Sequence, residues 1–130
     1  MTDPIADMLI RIKNAAAVKK PAVALPYSKI KWEISRILKD AAYLSSAERK
    51  GRKNKKLLEL ELTYLADGSA RIHGAKRISR PSRRLYRRAR EIRAVKEGKG
   101  LAVVSTSRGL MTGSDARKSR LGGEIICEVW

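Results

Sequence analysis

The sequence contains no Phe, one His and one Cys in 130 residues, and aromatic residues make up only 5% of it. Without Phe, a core has to be built from Leu, Ile, Val and Ala. A single Cys permits no internal disulfide, and one His with no Cys beside it gives no metal-ligand set, so disulfide-scaffold and zinc-finger readings are excluded. The same scarcity argues against an enzyme, because neither His73 nor Cys127 has a sequence partner for a nucleophile-base pair. No apolar run suggests a signal peptide or a membrane span. The helical stripes are flanked by mixed polar residues rather than the basic face of a membrane-surface helix. The expectation is a cytosolic or organelle-matrix protein with no metal and no cofactor.

Acids are also scarce. Thirteen Asp and Glu face thirty Lys and Arg, which leaves +17 at pH 7. Fourteen basic residues stand against seven acids up to Leu65, and sixteen against six after it, so no single tail carries the excess. Charge of this size repels itself unless a polyanion neutralises it, and the usual candidates are nucleic acid and acidic membrane surfaces. An apolar content of 43% is enough for a folded protein of one domain or two small ones. Charge alone also suits a DNA-compacting protein, which would distinguish poorly between duplex DNA and a structured RNA.

Asp3 as N-cap and Pro4 at the first helical position open a helix with Ile5, Met8, Leu9, Ile12 and Ala16 along one stripe. Asn14 and its basic neighbours fall at the edge of that stripe, where they are available to a partner. Ala22 to Leu25 reads as a short strand. Ser28 then caps a second helix, with Ile30, Ile34, Ile37, Leu38 and Ala41 along one side. Lys29 and Lys31 stand at its N-terminus, where the helix dipole disfavours cations and an outside anion better explains them. Residues 45–56 hold six basic residues and one acid and read as a mobile polar loop. Leu57 to Leu65 alternates, with Leu58, Leu60, Leu62 and Tyr64 facing one way and Glu59, Glu61 and Thr63 the other. Asp67-Gly68 makes a turn to a return strand over residues 70–74. These elements predict an α-β-α-β-β unit whose two helices cover one sheet face.

Between Lys76 and Arg93 lie nine basic residues and one acid, with Leu85 and Tyr86 among them. A wholly solvated basic tail has no use for those two, whereas a strand with a basic face does. Tyr86 suits stacking on a base or sugar, or inward packing. Leu101 to Val104 is an apolar strand that delivers Ser105, Thr106 and Ser107 as a polar loop. These small groups both donate and accept. Thr112 with Asp115 resembles a capping box for a short helix ending near Leu121. Gly122-Gly123 then lead into a last strand, residues 124–130. Glu124 beside the glycines would accept from a base amino group, a sugar hydroxyl or the loop serines, while the glycines allow a close approach of RNA.

Five stretches stand in the order and spacing of one family: DPIADMLIRIKNA (3–15), PYSKIK (26–31), KRISRPSRRLY (76–86), VVSTSRGLMT (103–112) and ARKSRLGGEIICEVW (116–130). Nearly end to end, the chain resembles the bacterial-type small-subunit ribosomal protein eight family. The departure is at 45–56, where the family usually has an acidic or aromatic strand start. The resemblance implies an α+β fold with two domains, an α/β one over 1–74 and a smaller antiparallel β-rich one with a short helix over 75–130. It also implies a structural role in the small ribosomal subunit, direct binding to the central domain of its ribosomal RNA early in assembly, and help in building the platform. Neighbouring small-subunit proteins and the protein's own operon messenger, whose translation it represses, are the other implied partners. The resemblance further implies a cytoplasmic protein on the ribosome, a monomer outside it, with no membrane involved. Carried over, Ser105, Thr106, Ser107, Gly122, Gly123 and Glu124 form the main RNA surface. Tyr86, Arg84, Lys76, Arg77, Arg80 and Pro81 lie beside it, and Lys29, Lys31, Asp3 and Asn14 complete the expected contacts.

Overall fold

A computed structural model describes residues 2–52 and 54–130. The described residues form two compact units, one of Asp7–His73 and one of Gly74–Trp130 together with the chain's first residues through Ala6. The division therefore differs at the N-terminus from the expected 1–74 and 75–130. The physical reason is Asp3. Its carboxylate pairs with Arg77 Nε at 3.1 Å, and Arg77 Nη1 donates to the Ile126 carbonyl at 2.7 Å, which ties the first residues to the C-terminal strands.

Helix α1 (Pro4–Ala17) starts with Asp3 Oδ1 accepting the Ala6 N–H, and its part from Asp7 on, which belongs to the Asp7–His73 unit, buries Met8, Leu9, Ile12 and Ala15. Strand β1 (Ala22–Pro26) leads to α2 (Lys29–Asp40), capped by the Ser28 side chain. The expected stripe on α2 is partly displaced. Ile34 and Leu38 are buried, but Ile30 is exposed and Ile37 only half-buried, while Lys31 and Ser35 lie on the inner face. Ser35 satisfies its hydroxyl by donating to the Lys31 carbonyl at 2.7 Å, and lysine buries its long stem. Burial pushes the Lys31 ammonium below its ordinary pKa, partly offset by the Asp7 carboxylate.

Residues 45–56 are not simply a loop. Strand β2 (Leu44–Lys50) occupies half of them and forms an antiparallel hairpin with β3 (Leu57–Leu62), in a sheet ordered β1-β3-β2. Lys53, part of the same stretch, lies outside the described residues. Gly51 sits in this hairpin at φ +104, where a Cβ would stand 2.0 Å from the Lys55 carbonyl oxygen, so glycine is required. The alternation of β3 is as the sequence predicts: Leu58, Leu60 and Leu62 are buried, and Glu59 and Glu61 face the other way. The expected return strand over 70–74 is reduced to one bridge, Tyr64 to Ala70.

The other unit is built on a sheet ordered β4-β8-β6-β7, from β4 (Ala75–Arg77), β6 (Leu101–Thr106), β7 (Gly109–Thr112) and β8 (Gly123–Val129), with the short β5 (Tyr86–Arg87) also paired to β8. The expected polar loop after β6 is shorter than its hydroxyls suggest. Ser105 and Thr106 stay in the strand, and only Ser107 and Arg108 turn the chain into β7. Helix α3 (Gly113–Lys118) starts where predicted, with Thr112 Oγ1 accepting the Asp115 N–H at 3.1 Å, and ends sooner, at Ser119. Its Ala116 joins Ile92, Val95, Ala102, Val104 and Ile125 in a buried cluster on one face of the sheet.

Candidate nucleic-acid interface

Strand alternation sorts these residues by face. Val104 pairs with Ile125 and both enter the cluster, so the next pair, Ser105 with Glu124, lies on the opposite face. Glu124 pairs with Tyr86 on its other side. Tyr86, Glu124 and Ser105 thus form one row across three strands, with Tyr86 64% exposed at its edge.

Two glycines make that row possible. A Cβ at Gly123 would stand 2.0 Å from the Ser105 carbonyl oxygen, and one at Gly122 would stand 2.6 Å from the Arg87 carbonyl oxygen. The close approach that these glycines allow is therefore made by the protein's own backbone.

Glu124 also has partners other than those expected. Its Oε2 accepts from the Ser79 hydroxyl, and from Arg84 Nη1 at 3.0 Å. Ser79 is completely buried, and its Oγ accepts the Leu85 N–H at 3.1 Å. Between Ser79 and Arg84 the chain makes a tight turn, with Arg80 and Arg83 exchanging N–H···O bonds of 3.0 Å around Pro81 and Ser82. A hydroxyl and a carboxylate thus anchor a turn that carries three arginines.

Thr106 serves the β6–β7 turn, its Oγ1 donating to the Gly109 carbonyl at 2.8 Å and accepting the Arg108 N–H at 3.1 Å. Ser107 is exposed at the tip. Of the other expected residues, Lys76 and Arg80 are exposed in this unit, whereas Asp3 and Arg77 are engaged with each other. Asn14 and Lys29 are exposed on the Asp7–His73 unit, and Lys31 is buried there.

Sequence reasoning missed two features. Ser79 is one; a serine following Ile78 in an arginine-rich run is the only trace it leaves. The second is a shallow depression lined by Arg88, Arg90, Arg117 and Arg120, which form no ion pairs among the described residues. The three-residue spacing of Arg117, in α3, and Arg120, just past its end, was its only signal. The Arg88 N–H donates to Glu91 at 2.9 Å, and with the surrounding arginines it holds that carboxyl below its ordinary range. No group of three His, Cys, Asp or Glu suited to a metal occurs among the described residues.

What the fold and this surface define is a small, strongly basic α+β protein with a row of exposed tyrosine, arginine-paired carboxylate and half-buried serine beside an arginine turn. Comparison with known proteins is in accord. The model of the family described as Ribosomal protein S8 matches residues 3–130. The chain is 44% identical over 130 residues to the small ribosomal subunit protein uS8 of Rubrobacter xylanophilus, covering all of this chain and 98% of that protein. It is 48% identical over 130 residues to the uS8 of Xanthomonas oryzae pv. oryzae, covering 99% and 98% of the two chains. To the uS8 of Persephonella marina it is 43% identical over 135 residues, covering 100% and 99%. The chain belongs to the ribosomal protein S8 family, whose members are structural, non-enzymatic proteins of the small ribosomal subunit.

Proposed function

We propose that this protein, as a structural constituent of the small ribosomal subunit, binds ribosomal RNA directly through its C-terminal unit. The observation that carries the reading is the Tyr86–Glu124–Ser105 row with the anchored arginine turn beside it. Arginines hold phosphates without regard to sequence. An exposed tyrosine stacks on an unpaired base, and hydroxyls meet base edges and the ribose 2′-OH. The combination fits a structured RNA with splayed bases better than duplex DNA. Family resemblance supplies the finer target, the central domain of the small-subunit RNA, bound early as the platform assembles beside neighbouring proteins. It also supplies a second role, repression of the protein's own operon messenger by a monomer outside the ribosome. Footprinting on small-subunit RNA in the presence of unrelated structured RNA and duplex DNA tests this. Protection confined to a central-domain segment is expected. Diffuse protection, or equal competition by duplex DNA, would point to compaction by charge.

A further inference from the structure

The β2–β3 hairpin sorts its charges by face. Glu48 stands opposite Glu59 across the two strands, and Lys50 Nζ reaches both carboxylates, at 3.6 and 3.1 Å. Like charges directly opposite repel, and this lysine relieves them. Arg49, one residue along, lies on the other face. It shares a row with Leu58 and Leu25, both buried, at the open end of that row. There its guanidinium carbon lies 5.2 Å from the centre of the Trp32 ring and 5.9 Å from that of Tyr27. Lys56 Nζ lies 5.7 Å from the same Tyr27 ring, and the Tyr27 N–H donates to the Lys56 carbonyl at 3.0 Å.

Among the described residues neither Arg49 nor Lys56 forms an ion pair. A guanidinium held against aromatic faces has its plane fixed in advance while its N–H edge stays available. Less freedom is then lost when that edge binds an anion. Arg52 and Lys55, both exposed, continue the positive charge around the hairpin.

We propose that Arg49 and Lys56, held by Tyr27 and Trp32, form a phosphate-binding site for a further segment of the RNA. The site is on the Asp7–His73 unit and outside the surface built around β8. The inference rests on the RNA-binding reading above. A nucleic-acid backbone is the occupant favoured, because the hairpin offers successive cations and its two facing carboxylates are already taken up by Lys50 on the far face. An acidic protein segment is the competing occupant.

The test uses the full chain with Arg49→Ala and Lys56→Ala combined, on a small-subunit RNA fragment that the parent protein protects. With two phosphate contacts removed, affinity at moderate salt should fall on the order of tenfold, and the slope of log affinity against log salt should become shallower by about two. One protected RNA segment should disappear from the hydroxyl-radical footprint while the segment that responds to Ser107→Ala persists. Parental affinity, slope and footprint in a folded double variant would overturn the inference, and would leave the RNA reading standing if Ser107→Ala still weakens binding. Should the double variant fail to fold, Lys56→Ala alone decides it. That side chain is exposed, and a slope unchanged rather than shallower by about one would overturn the proposal.

Discussion

Ser79 donates its hydroxyl to Glu124, and the same oxygen accepts the Leu85 N–H at 3.1 Å. One buried atom thereby closes the arginine turn onto β8. Ser79→Ala leaves a backbone donor and a carboxylate short of a partner, and should cost about 1–3 kcal/mol of stability. Urea unfolding measures that loss. Faster amide exchange at Leu85 should accompany it, and an unchanged Leu85 exchange rate would show that the hydroxyl does not hold the turn.

Ile12 and Ile37 separate two kinds of helical position. Ile12 is fully buried on α1, so Ile12→Ala should destabilise by about 2–5 kcal/mol. The sequence pattern predicts the same for Ile37, but that residue is only half-buried, and Ile37→Ala should cost roughly half as much or less. Equal losses in thermal unfolding would mean that the inner face of α2 is centred elsewhere than on Ile34, Ser35 and Leu38.

Those two residues also show what was legible in the sequence. Period-two alternation gave β3 its correct faces, because one side of that strand is apolar without exception. Strand β2 was hidden because it is an edge strand with a single fully buried residue, Leu44, and such a strand reads as polar loop. The β6–β7 hairpin was missed for a related reason: Thr106 stabilises its turn with its side chain, and the central pair is Ser107-Arg108 rather than an Asn-Gly signal. On α2, a lysine stem took a place that hydrophobicity assigned to isoleucine. At the site, Ser105, Glu124 and Tyr86 were recognisable as residue types. The partners of Glu124 were not, because the register that brings Ser79 and Arg84 to it is set by strand pairing between residues some 40 positions apart.

Cys127 is completely buried in β8, and burial pushes its thiol from 9.0 up to about 12. A pKa raised in the folded state means that unfolded chains lose the proton first. The contribution of this group to stability is therefore complete below pH 9 and declines as pH rises from there toward 12. The thiolate is the reactive form, so iodoacetamide at pH 8 should leave the native protein unlabelled and modify it in denaturant. Rapid labelling without denaturant would contradict the burial.

Ser107 tests specificity without disturbing the fold. The side-chain hydrogen bonds of the β6–β7 turn belong to Thr106, so Ser107→Ala should leave unfolding unchanged. If the serine reads a base edge or a ribose hydroxyl, its loss should cost about 1–3 kcal/mol on the cognate RNA and much less on an unrelated RNA of equal length. Arg80→Ala removes an exposed cation from the anchored turn. It should weaken both RNAs alike and reduce the salt slope by about one. The four affinities, measured at two salt concentrations, separate the readings. A Ser107→Ala loss that is equal on the two RNAs would move specificity away from the hairpin tip and onto Tyr86 and its row.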